Sequence, residues 1–168
     1  MPTTDQLIDV MSRERQILLD AIGGLSDAVL NQKGTVGTWS IKNVLAHLTG
    51  WESIVVQILP DRLVTGIRPE ILNSIAADED AWNAQEVAER EHLSPQQQLQ
   101  EFTRTREALY QVLRSVGEEV LNRQRPWPQW EGTLAEYIVN QIGDHEREHR
   151  EGVLLAAERL RHSTNERE

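Results

Sequence analysis

Apolar residues recur at spacings of three and four along four long stretches of this chain, the pattern of α-helices that each bury one face. Polar residues that cap helices stand before the stretches, and the candidate N-caps are Thr3, Ser40, Ser94 and Thr133. Pro95 follows one of them at the first helical position, where proline is favoured. Between the stretches there is no convincing alternating pattern of the kind that predicts a β-strand. The sequence therefore predicts an all-α fold, a four-helix bundle.

Residues that stop helices predict the ends of the four long helices. The first helix is expected to end at Gly23, the second near Pro60 and the third near Gly117. The last helix is expected to reach about Arg161 and to be followed by a polar, frayed tail over residues 162–168.

The connection between the second and third helices is unusually long and covers residues 60–93, with a short helix predicted around residues 78–91. A connection of this length can cross the bundle, so the second and third helices can run parallel. An irregular aromatic loop is predicted at residues 126–130, before the last helix. With 168 residues the chain is expected to form a single domain, residues 1–168.

The composition excludes several classes of function. The formal net charge is −10, from 27 acidic and 17 basic residues, which disfavours nucleic acids and anionic membranes as partners. The chain has no apolar run long enough to cross a membrane, and its first residues lack the signature of a secretory signal. Cysteine is absent, so thiolate nucleophiles and cysteine-ligated zinc sites are excluded. We expect a cytoplasmic protein that acts on a small molecule.

Two histidines in the last helix are candidate metal ligands. His145 and His149 are four residues apart, so they lie one above the other on a helix face. They follow Ile138 and Ile142 by seven residues each, at positions where the pattern predicts buried aliphatic side chains. His47, on the shoulder of the second helix's apolar face, is the candidate third ligand. Three imidazoles would leave a coordination position open, as in catalytic metal sites; core histidines without a metal are the alternative.

The same stretch also matches the H-E-x-x-H pattern of zinc metallopeptidases, in which Glu146 would be the general base. Gly152 extends the match, but Leu155 stands where the longer form of the pattern has its third histidine. We expect residues 146–148, all charged, to form a solvent-exposed helix surface. Because nothing in the sequence predicts the sheet-containing catalytic domain of these enzymes, a metallopeptidase remains a remote alternative.

Two segments of the chain resemble a known family. Residues 37–52, GTWSIKNVLAHLTGWE, closely resemble the second-helix signature of the DinB-like four-helix-bundle superfamily, and His145 to His149 resembles the H-x-x-x-H of its last helix. The resemblance covers nearly the whole chain. It implies an up-down-down-up bundle with a long connection between helices two and three. It also implies a metal site formed by His47, His145 and His149.

The function that the resemblance implies is broad. The family includes bacillithiol and mycothiol S-transferases, a mycothiol-dependent isomerase, proteins of the ClbS and DfsB type linked to self-protection, and members with no known activity. A divalent metal, zinc or nickel, would hold a low-molecular-weight thiol cosubstrate as thiolate for transfer, or activate water for hydrolysis. A non-enzymatic metal-binding or ligand-sequestering bundle is the alternative. The family also suggests a homodimer.

Other polar and aromatic residues are weaker candidates. Asp144 and Glu148 could fix an imidazole tautomer, although solvated surface carboxylates are the alternative. Tyr137, about two turns before the histidine pair, could line a cavity, whereas His92 and His162 are expected to be solvated. The sequence identifies no catalytic acid or base. Five tryptophans either pack in the core or line a site for the apolar body of a substrate: Trp39, Trp51, Trp82, Trp127 and Trp130.

Overall fold

A computed structural model describes residues 2–60, 70–124 and 130–165. Apart from two isolated β-bridges, the regular structure of these residues is helical, which confirms the predicted all-α fold. The elements in chain order are α1 (Thr4–Ile22), α2 (Asp27–Leu30), α3 (Ile41–Ile58), α4 (Glu70–Ala77), α5 (Glu79–Glu89), α6 (Pro95–Val116), α7 (Glu118–Leu121), α8 (Leu134–Ile138), a π-helical segment (Val139–Asp144) and α9 (His145–Asn165). Among the described helices, none has the length and apolar character needed to span a membrane.

The four predicted N-caps begin the four long helical stretches, and each forms a complete capping box. In each box the N-cap side chain accepts a hydrogen bond from the backbone N–H of the residue three positions later. The side chain of that later residue in turn accepts a hydrogen bond from the backbone N–H of the N-cap. The pairs are Thr3 with Gln6, Ser40 with Asn43, Ser94 with Gln97, and Thr133 with Glu136. Gly117 ends α6 with a φ of 80°, a backbone conformation that favours glycine.

Three parts of the chain differ from the sequence-based expectation. The long connection contains α4 as well as the predicted helix α5. The last helical stretch is interrupted by the π-helical segment, and α9 continues to Asn165, so residues 162–165 are helical rather than a frayed tail. The rest of the predicted tail, residues 166–168, and most of the predicted aromatic loop lie outside the described residues. The up-down-down-up order of the helices stays a prediction.

Packing of α3 against α6 and of α1 against α9 encloses two clusters of buried apolar side chains. One cluster includes Met11, Val55 and Leu109, and the other includes Leu18 and Phe102. Along α1, α3 and α6, and along the last helical stretch from α8 to α9, a charged residue separates the members of one cluster from those of the other. These four residues are Arg15, Glu52, Arg106 and Glu146, with exposed fractions of 5%, 1%, 4% and 1%.

The four charged side chains form a buried ion cluster, called the charge cluster below. Arg15 donates to Glu52 over 2.6 Å and to both carboxylate oxygens of Glu146 over 2.9 and 3.0 Å, and Arg106 donates to the same two carboxylates. The guanidinium groups also donate to backbone carbonyls, Arg15 to that of Phe102 and Arg106 to that of Met11. Two positive and two negative charges therefore compensate each other at the level where the four helices meet.

Candidate metal centre

The structure brings together the three histidines that the sequence predicted. His47 lies on α3, and His145 and His149 lie one turn apart at the start of α9. Their Nε2 atoms form a nearly equilateral triangle: 2.9 Å from His47 to His145, 3.1 Å from His47 to His149, and 3.1 Å between the two histidines of α9. His92 and His162 are exposed, as expected. In the part of the chain that the structure describes, these three imidazoles are the group that could hold a metal ion.

The size of this triangle fits a shared divalent ion. An ion at about 2.0–2.1 Å from each nitrogen separates the nitrogens by about 2.9 Å when its bond angles are close to 90°, and by about 3.4 Å when they are tetrahedral. The observed separations of 2.9 to 3.1 Å lie at the lower end of that range. Three ligands at such angles occupy one side of an ion and leave its other side open.

The protonation state of the histidines also suits metal binding. Burial, together with the neighbouring His145 and His149, lowers the pKa of His47 to about 3. Burial is also the main cause that lowers the pKa of His145 to about 4. Burial likewise lowers the pKa of His149, although the nearby Glu148 opposes the effect. All three imidazoles are therefore neutral near pH 7, the form in which a ring nitrogen has a free lone pair for a metal.

Two tryptophans hold the imidazole rings. Trp39 packs on His47 at 5.0 Å between ring centroids and stacks on His149 at 6.3 Å. Trp51 meets His145 edge-on at 5.6 Å. His47 is 2% exposed, and its Nδ1 atom has no hydrogen-bond partner in the described part of the chain. Ring packing against Trp39 therefore helps to orient His47.

The other aromatic candidates that the structure describes pack against further aromatic rings and not against the three histidines. Trp82 packs edge-on against Trp51, with 4.7 Å between the ring centroids, and so restricts the position of the Trp51 ring. Trp130 packs against Tyr137 at 5.4 Å, and Tyr137 is buried in the core rather than lining the cavity next to the histidines. Trp127 lies outside the described residues.

A cavity of about 230 Å³ reaches the triangle at His145. Among the described residues, its lining includes Trp51, Glu79, Asn140, Gln141, Asp144, His145 and Glu148. Asp144 forms an ion pair with Arg147 at 2.6 Å. Within the described residues neither Asp144 nor Glu148 hydrogen-bonds an imidazole, so the two carboxylates line the cavity instead of fixing a tautomer.

The π-helical segment explains how this cavity forms and why one expectation from the sequence was wrong. A π-helical turn holds one residue more than an α-helical turn, so it shifts every later position of the helix. The buried positions consequently run from Ile138 and Ile142 to Glu146, while His145 and His149 are only half-buried. Asn140, Gln141 and Asp144 all belong to the π-helical segment and line the cavity.

The placement of Glu146 corrects the prediction of a charged surface at residues 146–148, because only Arg147 and Glu148 are exposed. Burial alone would raise the pKa of Glu146, but the charges of Arg15 and Arg106 outweigh it and lower the pKa. The carboxylate is bound by both guanidinium groups and does not line the cavity at His145. The geometry therefore gives Glu146 no access to a bound substrate, and the metallopeptidase alternative finds no support.

Comparison with known proteins agrees with the resemblance of the two motifs. An uncharacterised protein of Bacillus subtilis (strain 168), YuaE, is 27% identical to this chain over 150 residues, which cover 84% of this chain and 91% of YuaE. The crystal structure of an uncharacterised protein from Escherichia coli UTI89 has the same fold, with a TM-score of 0.76 over 96% of both chains at 16% identity. The family model of the DinB superfamily matches residues 11–153, a range that includes all three clustered histidines. The chain therefore belongs to the DinB superfamily.

Proposed function

We propose that this protein is a divalent-metal-dependent enzyme that acts on a small polar molecule at the three-histidine site, by thiol transfer or by hydrolysis. The observation that carries the proposal is the triangle of neutral imidazole Nε2 atoms, 2.9 to 3.1 Å apart, which borders a cavity at His145. A closed structural site would have a fourth protein ligand, and among the described residues only three side chains converge there.

The chain's own residues would prepare the site in two ways. His47, His145 and His149 would hold a zinc or nickel ion, which supplies either a bound thiolate nucleophile or an activated water. Trp39 and Trp51 pack against the imidazoles and would so keep the ligand rings in place.

The residues that line the cavity would bind the substrate and accept a proton. The side-chain amides of Asn140 and Gln141 offer hydrogen-bond donors and acceptors to a polar molecule. Asp144 and Glu148 are the carboxylates of the lining nearest in sequence to the histidine pair, and either can take up the proton that a thiol or a water releases.

Metal content tests the proposal directly. Untagged protein, purified without chelators or a nickel column, should contain close to one equivalent of zinc or nickel by elemental mass spectrometry. The His47→Ala variant and the His145→Ala, His149→Ala double variant should lose it. His92→Ala removes an exposed histidine outside the site and should keep the metal. Wild-type protein that is metal-free and takes up neither ion when it is added would refute the metal site.

A second experiment separates an enzyme from a bundle that only binds metal or sequesters a ligand. Metal-loaded protein would be incubated with thiols plus small electrophiles, and separately with hydrolysable small molecules. Multiple turnover that disappears in His47→Ala supports the enzyme. Binding that saturates at one equivalent, without turnover, supports the sequestering bundle instead.

A further inference from the structure

The cavity beside His145 is acidic. Three of its described lining residues, Glu79, Asp144 and Glu148, carry carboxylates, and none of the described lining residues carries a cationic side chain. Arg147 neutralises Asp144 through their ion pair. Glu79 and Glu148 have no hydrogen-bond or ion-pair partner among the described residues, so their charges are available to whatever enters the cavity.

These two carboxylates come from separate parts of the chain and line the same cavity. Glu79 is the first residue of α5, and Glu148 lies in the first turn of α9, one residue before His149. The amides of Asn140 and Gln141 and the ring of Trp51 belong to the same lining. Carboxylates, amide oxygens and an aromatic ring are the groups that bind a protonated amine.

We propose that this cavity selects substrates that carry a cationic group, such as a protonated amine, close to the atom that reaches the three histidines. The inference rests on the proposed function, since the reacting atom is taken to bind at the histidine site. A volume of about 230 Å³ lies below the roughly 300–1,000 Å³ of sites for drug-sized ligands. The cavity therefore accommodates a small molecule, or one end of a larger one.

A bound metal does not remove this preference. Its positive charge acts on a given thiol in the same way in the wild type and in a cavity variant, so a comparison of the two isolates the contribution of the carboxylates. The remote group of the ligand then meets Glu79 and Glu148, which attract a cation and repel an anion. Thiols that differ only in the remote group consequently report on the two carboxylates.

Cobalt(II)-loaded protein allows this measurement, because thiolate binding to cobalt produces a charge-transfer absorption band that can be titrated. The probes are cysteamine, mercaptoethanol and mercaptopropionate, whose remote groups are cationic, neutral and anionic. Since their thiols differ in acidity, the readout is the change in each Kd between the wild type and the Glu79→Gln, Glu148→Gln double variant. The Glu107→Gln, Glu158→Gln double variant is the control, because it removes two exposed carboxylates outside the cavity and changes the net charge equally.

We expect the cavity variant to bind cysteamine about fivefold more weakly and mercaptopropionate about fivefold more tightly, with mercaptoethanol unchanged. The control variant should change none of the three, and added salt should reduce the effect in the wild type. If cobalt binds but the three thiols respond equally to the cavity substitutions, or none binds, the cation preference is overturned and the metal site stands. If cobalt does not bind, the proposed function and the cation preference both fail.

Discussion

The charge cluster offers the sharpest test of how this bundle is held together. Glu146 accepts hydrogen bonds from Arg15 on both carboxylate oxygens, at 2.9 and 3.0 Å, and a further one from Arg106. In a Glu146→Gln variant the side chain keeps its size but has one acceptor oxygen, and its new N–H₂ group faces a guanidinium that can only donate. The two buried arginines then share the single negative charge of Glu52.

The expected cost follows from the burial of these groups. Removing one member of a buried ion cluster leaves an uncompensated charge and costs about 3–5 kcal/mol. Because the total stability of a domain is about 5–15 kcal/mol, the variant should still fold but unfold at a much lower urea concentration. Glu148→Gln, on the exposed side of the same helix, should change the free energy of unfolding by no more than about 0.5 kcal/mol.

A double variant shows whether charge compensation is the cause. Arg106→Met combined with Glu146→Gln removes one charge of each sign and leaves the pair of Arg15 and Glu52. Its destabilisation should be smaller than the sum of the two single effects by about 0.5–3 kcal/mol. A cost below about 1 kcal/mol for Glu146→Gln, or strict additivity in the double variant, would refute the reasoning.

Two further predictions concern the histidines and the packing of α3. The pKa of His47, about 3, and of His145, about 4, lie below the ordinary value of 6.5, so the unfolded chain binds more protons than the folded chain as pH falls below 6.5. The free energy of unfolding of metal-free protein, measured by urea titration, should therefore decrease as the pH is lowered from about 6.5 to about 4. The decrease should be smaller in His47→Ala, and an equal dependence on pH in the two proteins would contradict this. Gly50→Ala would place a methyl group 2.9 Å from Cγ of Glu86 on α5, so it should destabilise the protein by about 1–3 kcal/mol. Adding Glu86→Ala should recover most of that loss, and no recovery would show that the cost has another source.

The parts of the structure that the sequence predicted well are those that depend on a few neighbouring residues. A capping box is complete within four residues, so Thr3, Ser40, Ser94 and Thr133 could be assigned without knowing the rest of the fold. The pair of histidines in α9 was visible for the same reason. His47 was a candidate from its position at the edge of the second helix's apolar face, but only the resemblance to the DinB-like signature joined it to the pair, because His47 and His145 are 98 residues apart in sequence.

The charge cluster could not be predicted, although the sequence contains a sign of it. Arg15, Glu52 and Arg106 each stand four residues after one buried apolar residue and three before another, on the inner face of the helix. Such a position marks a charged residue as buried, but the sequence does not say which opposite charge compensates it. The π-helical segment had no comparable sign, and its extra residue reversed the expected burial of His145 and Glu146.

That reversal links the core of the protein to its site. Adjacent residues of a helix project about 100° apart, so fixing Glu146 in the core also fixes the direction of His145. Arg15 and Arg106 bind Glu146 on α9 and Glu52 on α3, and these are the two helices that supply the three histidines. We infer that the charge cluster orients both helices, a role that a purely apolar core of similar volume would perform less specifically. The Glu146→Gln variant should accordingly bind zinc more weakly than Glu158→Gln, an exposed carboxylate of the same helix outside the cavity, under conditions where both are folded, and equal affinities would show that the cluster contributes to stability alone.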